Sequence, residues 1–421
     1  MTVQMTTLAN GLRVISDSRE GVQTTAVGVW VDAGARYETT ANNGVAHMLE
    51  HMAFKGTDSR SAQDIAVEIE SVGGHLNAYT SREHTAYFVR ILKEDLALSI
   101  DILADILQRS TFAEEELARE RTVVIQEIGQ AEDTPDDIIF DRLQEVSFPD
   151  QALGRSILGP VEGVANMGRQ VLFDFMAEHY SASRLLLCAA GAVEHDTLVA
   201  LAESHFGGLR RGDDNPFEPA QFRGGDRRDE RDLEQVHFAL ALPALPYDDD
   251  DFYPMQVMST VLGGGMSSRL FQEIREKRGL CYSIFCFASS YKDSGAFTIY
   301  AGTGADQIGE LVPVMCDEML RLSGDANSQE VARARNQLKA GTLMSLESSA
   351  ARAEQLARQT LVFGRQIPVE ELISRIDAVD VAAVRRVAGR ITSAGDPAVA
   401  ALGPISGLAS QADIAARFAR G

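Results

Sequence analysis

His47, Glu50 and His51 lie in the stretch Gly44-Val45-Ala46-His47-Met48-Leu49-Glu50-His51-Met52-Ala53-Phe54. On a helix, residues four apart stack on one face and a residue three after the first lies beside them. His47 and His51 can therefore hold one metal ion while Glu50 sits over its edge, placed to move protons. This is the H-x-x-E-H spelling, the reverse of H-E-x-x-H. With 8 histidines in the chain, the three letters coincide by accident in roughly one sequence in a hundred. The bland reading, a helix with two satisfied surface histidines and a solvated glutamate, is therefore the weaker one.

A hydrolytic zinc takes three protein ligands and leaves a fourth position for water, so a third ligand must come from elsewhere. The best candidate is Glu127. It lies in a run from Thr111 to Ile128 that reads as a long helix opened by a Thr-x-x-Glu capping box. Glu120 and Glu127 are two turns apart and project from the same face. One can bind metal while the other supports the ligands by hydrogen bonding. Zinc on His47, His51 and Glu127 would lower the pKa of its water and polarise a peptide carbonyl. Glu50 would take the water proton and deliver it to the leaving amine.

His47-x-x-Glu50-His51, then Glu127 with Glu120 seven before it, resembles the pitrilysin-type (inverzincin) zinc peptidases. The likeness is closest to the beta subunit of the mitochondrial processing peptidase and its bacterial homologues. Gly44 to His47, His51 to Thr57, and Gly73-Gly74-His75-Leu76-Asn77-Ala78-Tyr79-Thr80-Ser81-Arg82-Glu83 read the same way. The resemblance implies that Asn77 and Ala78 belong to an edge strand that pairs with the substrate backbone, a mode that selects extended peptides. An ordinary turn is the alternative there. It favours a supporting role for Glu120 over mere membership of the acidic run Glu114-Glu115-Glu116. In the second half, Arg275 and Tyr282 resemble the family's Arg-x6-Tyr pair. Tyr282 would donate to the developing oxyanion and Arg275 would anchor the substrate backbone. A buried tyrosine and a surface arginine are the alternative. His75 and His84 read as structural.

The elements that must position these residues follow an α+β pattern. An Asn10-Gly11 turn signals a hairpin, and Thr24 to Val31 alternates as a strand. Ser61 to Asp64 starts a helix that ends at Gly73-Gly74. Thr85 to Ile91 and Leu185 to Gly191 read as strands, with helices at Ala97 to Ile106 and Ala113 to Gly129. Pro135, Pro149 and Pro160 punctuate a looser region. Between Phe206 and Glu234 the composition turns to glycine, proline and dense charge, which marks a boundary. A similar order of elements then returns, with strands near Val236 to Leu242, Tyr282 to Ala288 and Ala296 to Gly302, and helices from Tyr253 and Ser268. Where the first half has His47 and His51, the second offers Met255, Met258 and Leu262, with no ligands. The expectation is an N-terminal zinc-binding catalytic domain over 1–210, a linker over 211–232 and an inactive C-terminal repeat over 233–421. The resemblance implies the same duplicated α/β sandwich, of the LuxS/processing-peptidase-like metallopeptidase type, closing like a clam shell.

At 421 residues and 45% hydrophobic content, the chain suits two folded domains. Its 39 Lys+Arg against 61 Asp+Glu, a net charge of -22, argues against nucleic acid or an anionic membrane as partner. The acidic balance is compatible with basic peptide substrates, although net charge alone points first to an ordinary acidic surface. Cys188, Cys281, Cys286 and Cys316 form no C-x-x-C pair and read as reduced and mostly buried. No leader and no membrane-spanning stretch is seen, so the expected location is cytoplasmic. Gly263-Gly264-Gly265-Met266-Ser267-Ser268 lacks the Lys-Ser/Thr ending of a phosphate loop.

The leading reading is a zinc endopeptidase, one Zn2+ per chain, hydrolysing short extended or presequence-like peptides. Its rival is a noncatalytic scaffold or the partner subunit of a heterodimeric peptidase. The complete set His47, Glu50, His51, Glu120 and Glu127 tells against that rival. The resemblance also implies pairing with a second chain, identical or homologous. The presence of Arg275 and Tyr282 favours a self-sufficient homodimer.

Overall fold

In the computed structural model, residues 2–212 and 217–419 are described. Positions 213–216 of the expected linker lie outside them. The first sheet contains β1 (Thr2–Thr7), β2 (Arg13–Ser18), β3 (Thr24–Val31), β4 (His75–Thr80), β5 (Thr85–Leu92) and β6 (Leu185–Gly191). Their order is β1-β2-β6-β3-β5-β4. The second contains β7 (Gly225–Glu230), β8 (Val236–Pro243), β9 (Cys281–Ser290), β10 (Gly295–Thr303) and β11 (Ala398–Gly403), in the order β7-β11-β8-β10-β9. In both sheets the run that matches, β2-β6-β3-β5-β4 against β7-β11-β8-β10-β9, starts with one parallel pair and continues with three antiparallel ones. The repeat expected from the order of elements is thus present at the level of strand pairing.

β7 falls inside the expected linker. Its sequence, Gly-Asp-Arg-Arg-Asp-Glu, shows no apolar alternation, yet it pairs with β11 along its length. As an edge strand it needs no buried face, and its charges protect the exposed edge from pairing with another chain.

The chain divides into two compact units that interleave in sequence. One comprises Met1–Gly129, Arg155–Glu218 and Met344–Gln366; the other comprises Gln130–Gly154, Pro219–Leu343 and Ile367–Gly421. The expected cut over 211–232 therefore misses two exchanged segments. The helix Pro135–Ser147 comes from the first half and covers one face of the second sheet. There Ile138, Ile139 and Leu143 pack with Ala239, Ala241, Ala398 and Leu402. In return, Ala353, Leu356 and Ala357 of the helix Ser349–Phe363 pack on Ile15, Ala26, Trp30, Ala86 and Ala190 of the first sheet. Small residues on these faces let each helix approach closely. A buried ion pair pins the second exchange: Arg352 Nε donates to Asp17 Oδ2 at 2.5 Å, with both side chains almost wholly buried.

The opposite face of the first sheet builds that unit's main core with Val45, Met48, Leu49 and Met52 of the motif helix and with Ile100, Leu103 and Leu107. Three of the four cysteines are buried and all four are free. No described helix is long and apolar enough to cross a membrane.

Candidate metal centre

The helix Val45–Ala53 buries Val45, Ala46, Met48, Leu49, Met52 and Ala53. This i, i+3, i+4, i+7 stripe turns His47, Glu50 and His51 away from the core. The two imidazole rings stand with centroids 4.7 Å apart and planes at 72°. The long helix runs Glu114–Glu132 and buries Leu117, Glu120 and Val124, and Glu127 continues that stripe toward the histidines. A Glu127 oxygen lies 3.6 Å from His47 Nε2 and 3.4 Å from His51 Nε2. Among the described residues, these three form the one group of His, Cys, Asp and Glu placed to hold a metal ion, with ligand atoms within 4.8 Å of one another.

This helix does not open on the expected capping box. It starts at Glu114, while the Thr111 hydroxyl and amide both donate to the Gly56 carbonyl. Phe112 takes a left-handed φ of 44° between them. Thr111 is thus engaged by the segment that follows the motif helix and is not free to cap.

Glu120 lies behind His51, its Oε2 accepting from Nδ1 at 2.9 Å and its Oε1 from Lys55 Nζ at 2.7 Å. Burial acts to raise its carboxyl, but the Lys55 and His51 donors outweigh burial and hold it below the ordinary glutamate value. An ionised carboxylate only accepts, so Nδ1 of His51 carries the hydrogen and Nε2 keeps its lone pair on the Glu127 side. Burial, and after it the neighbouring His51, pushes the His47 imidazole down to about 4. It is therefore neutral at neutral pH and has a lone pair to give.

Glu50 is on the same helix face but outside the converging set. Its Oε2 accepts from the Thr80 hydroxyl at 2.7 Å. Burial raises its carboxyl above the ordinary value, and the Thr80 bond opposes that rise. A carboxyl so raised holds a proton more readily than a solvated one.

Asn77 and Ala78 lie on β4, the last strand of its sheet, which pairs only with β5 among the described strands. Asn77 is exposed and Ala78 buried. Beside this edge runs a groove of about 590 Å³ lined by Phe54, Ile65, Ile69, Leu76 and Phe88 together with the polar Glu70, His75, Asn77 and Arg90. His84 bonds to Tyr79 and Ser81, which fits a structural residue.

Arg275 and Tyr282 belong to the other compact unit. The Arg275 guanidinium lies 5.5 Å from the Tyr282 ring centroid and 4.6 Å from that of Phe271. Tyr282 is 78% exposed, so the buried alternative for it does not hold. Arg275 sits in a π-helical turn, Phe271–Glu276, where an ordinary α-helix was expected. The extra residue per turn appears as the Lys277 amide donating to Gln272 at 3.0 Å, and such turns recur at functional sites. Thr80 and Lys55 were not foreseen as site residues. Both lie within stretches that carried the resemblance, but neither has a spacing that announces its bond.

Residues 13–161 match the family model described as Insulinase (Peptidase family M16), and residues 166–338 match the Peptidase M16 inactive domain. The mouse protein named mitochondrial-processing peptidase subunit beta is 42% identical over 418 residues, covering 96% of this chain and 85% of that one. A Rickettsia felis protein named as an uncharacterized zinc protease is 40% identical over 387 residues, covering 92% of this chain and 94% of its own length. A solved structure of a protease from Helicobacter pylori superposes with a TM-score of 0.88 at 22% identity, over 96% of this chain and 99% of that one; at that identity the likeness speaks for the fold alone. With two family domains and relatives of this similarity along nearly its whole length, the chain belongs to peptidase family M16.

Proposed function

We propose that the chain is a zinc-dependent endopeptidase that hydrolyses extended peptides, presequence-like and basic segments among them. The observation that carries this reading is the convergence of His47 Nε2, His51 Nε2 and a Glu127 oxygen, with Glu50 beside the set. Two imidazoles and one carboxylate are the donors of a hydrolytic zinc that keeps a fourth position open, so the residues fit the metal. Zinc held there supplies Lewis acidity to a peptide carbonyl and to a water. Glu50 accepts the proton of the attacking water and returns it to the departing amine nitrogen, while the C–N bond breaks and no acyl-enzyme forms. Glu120 fixes the His51 tautomer, and Thr80 aims the Glu50 carboxylate.

The free edge of β4 fits an added substrate strand. Main-chain hydrogen bonds at Asn77 and Ala78 would give affinity, and the neighbouring groove would take apolar side chains. Arg275 and Tyr282 enter the proposal as further substrate-binding groups. The name of the mouse relative describes a subunit, which supports pairing with a second chain, homologous or identical.

Chelation should abolish cleavage of an unstructured basic peptide, and one equivalent of zinc per chain should restore it. Metal-loaded protein that leaves such peptides intact, both alone and with a homologous second chain, would overturn the proposal.

A further inference from the structure

The motif helix begins at Gly44, which sits at φ 95° and has no side chain to cap the first turn. A Cβ there would come within 2.9 Å of the Leu158 carbonyl oxygen. The usual capping residues are thus excluded from the position, while the first amides of the helix still need acceptors.

Glu38 provides them from six residues upstream. Its Oε2 accepts from the Gly44 amide at 2.8 Å and from Asn43 Nδ2 at 2.7 Å, and its Oε1 accepts from the Ala46 amide at 2.8 Å. The residue is 3% exposed, and its own carbonyl accepts from the Arg155 guanidinium. Asn43 is held in turn by the Ser156 carbonyl at 3.0 Å.

The segment just before Glu38 is fixed to the turn that follows β4. The amides of Ala35 and Arg36 donate to the carbonyls of Ser81 and Arg82 at 3.1 and 2.7 Å. Gly34 lies so close that a Cβ would meet the Ser81 oxygen at 2.3 Å. The buried Arg36 guanidinium donates to Glu83 at 2.7 Å. One short loop therefore grips both the end of the edge strand and the start of the helix that carries His47, Glu50 and His51. The same two elements meet again where Thr80 donates to Glu50.

We propose that Glu38 is a positioning residue: its carboxylate caps the motif helix and, through the loop that carries Arg36, locks that helix to strand β4, so that metal ligands, general base and substrate edge keep one geometry. This inference rests on the zinc-peptidase reading of the same site. It assigns Glu38 no contact with substrate or metal. Its oxygens act on the helix terminus as acceptors for the Gly44 and Ala46 amides; burial pushes the carboxyl up to about 7, and these bonds oppose that rise.

The test compares wild type with Glu38→Gln. The glutamine oxygen can accept from only one side, and its amide hydrogens then face the donors on the other. Zinc affinity should fall about tenfold. The cobalt(II)-substituted protein should show a displaced d–d absorption, and kcat should fall about tenfold with KM within about twofold, since the fault lies in geometry and not in substrate contacts. Asn43→Ala, which removes one donor and keeps the carboxylate, should move the same readouts in the same direction by less. It keeps the idea testable if Glu38→Gln does not fold. Wild-type zinc affinity, cobalt spectrum and kcat retained in a folded Glu38→Gln, or in Asn43→Ala, would overturn the inference. If wild type itself neither bound zinc nor cleaved peptide, the underlying reading would fail instead.

Discussion

Glu120→Gln is the perturbation whose effect can be worked most fully from the geometry. The wild-type carboxylate accepts from His51 Nδ1 at 2.9 Å and Lys55 Nζ at 2.7 Å and is only 4% exposed. Glutamine keeps the volume but loses the charge, and its amide can donate to Nδ1 as readily as its oxygen can accept. Donation to Nδ1 favours the tautomer whose hydrogen is on Nε2, the nitrogen 3.4 Å from Glu127. That tautomer cannot ligate. Partners that orient a ligating histidine contribute about 10- to 100-fold in metal affinity, which is about 1.4–2.8 kcal/mol. Zinc competition against a chelator of known affinity at fixed pH would read the change. Glu115→Gln, on the exposed side of the same helix, serves as the control and should be silent. A zinc dissociation constant for Glu120→Gln within about threefold of wild type would refute the reasoning.

Arg352→Met leaves the buried Asp17 carboxyl without its ion-pair partner. Denaturant unfolding should show a loss of about 3–5 kcal/mol, and a loss below about 1 kcal/mol would mean that the Ser349–Phe363 helix is held by its apolar face alone. Acid should weaken the fold through His179, which is 3% exposed, its ring tilted against that of Phe175 with centroids 4.3 Å apart. Burial, and then Arg184, pushes it down to about 4. Unfolded, the imidazole binds its proton near 6.5, while the folded protein binds it only near 4. Stability is therefore complete above about pH 6.5 and falls as pH drops toward 4, by on the order of 3 kcal/mol. In His179→Phe the slope of stability against pH through that window should flatten, and an unchanged slope would exclude His179 as its source.

The convergence of His47, His51 and Glu127 was legible because helical spacing is local: His47 and His51 are one turn apart, and Glu120 and Glu127 two. The repeat was legible in the order of elements, since apolar runs such as Leu185–Gly191 and Val236–Pro243 mark inner strands of both sheets. Other features depend on contacts made far away in sequence. β7 carries only charge, and its strand state comes from β11, more than 160 residues later. The Pro135–Ser147 helix read as loose because of its prolines, although Pro135 at the first helical position is a start signal and Ile138, Ile139 and Leu143 mark a face. That this helix serves the second sheet is visible only in the packing. The Glu38 cap leaves no local trace either, because the acceptor lies across a loop from the amides it serves.

The central claim is that Glu50 moves the proton in a hydrolysis that the His47, His51 and Glu127 set makes possible. Its most direct test is cleavage of a quenched basic peptide by wild type and Glu50→Gln, with zinc content determined on both. The account predicts equal zinc, turnover in wild type and loss of roughly 10²–10⁴-fold or more in the variant. Equal zinc with equal turnover in the two proteins would contradict it.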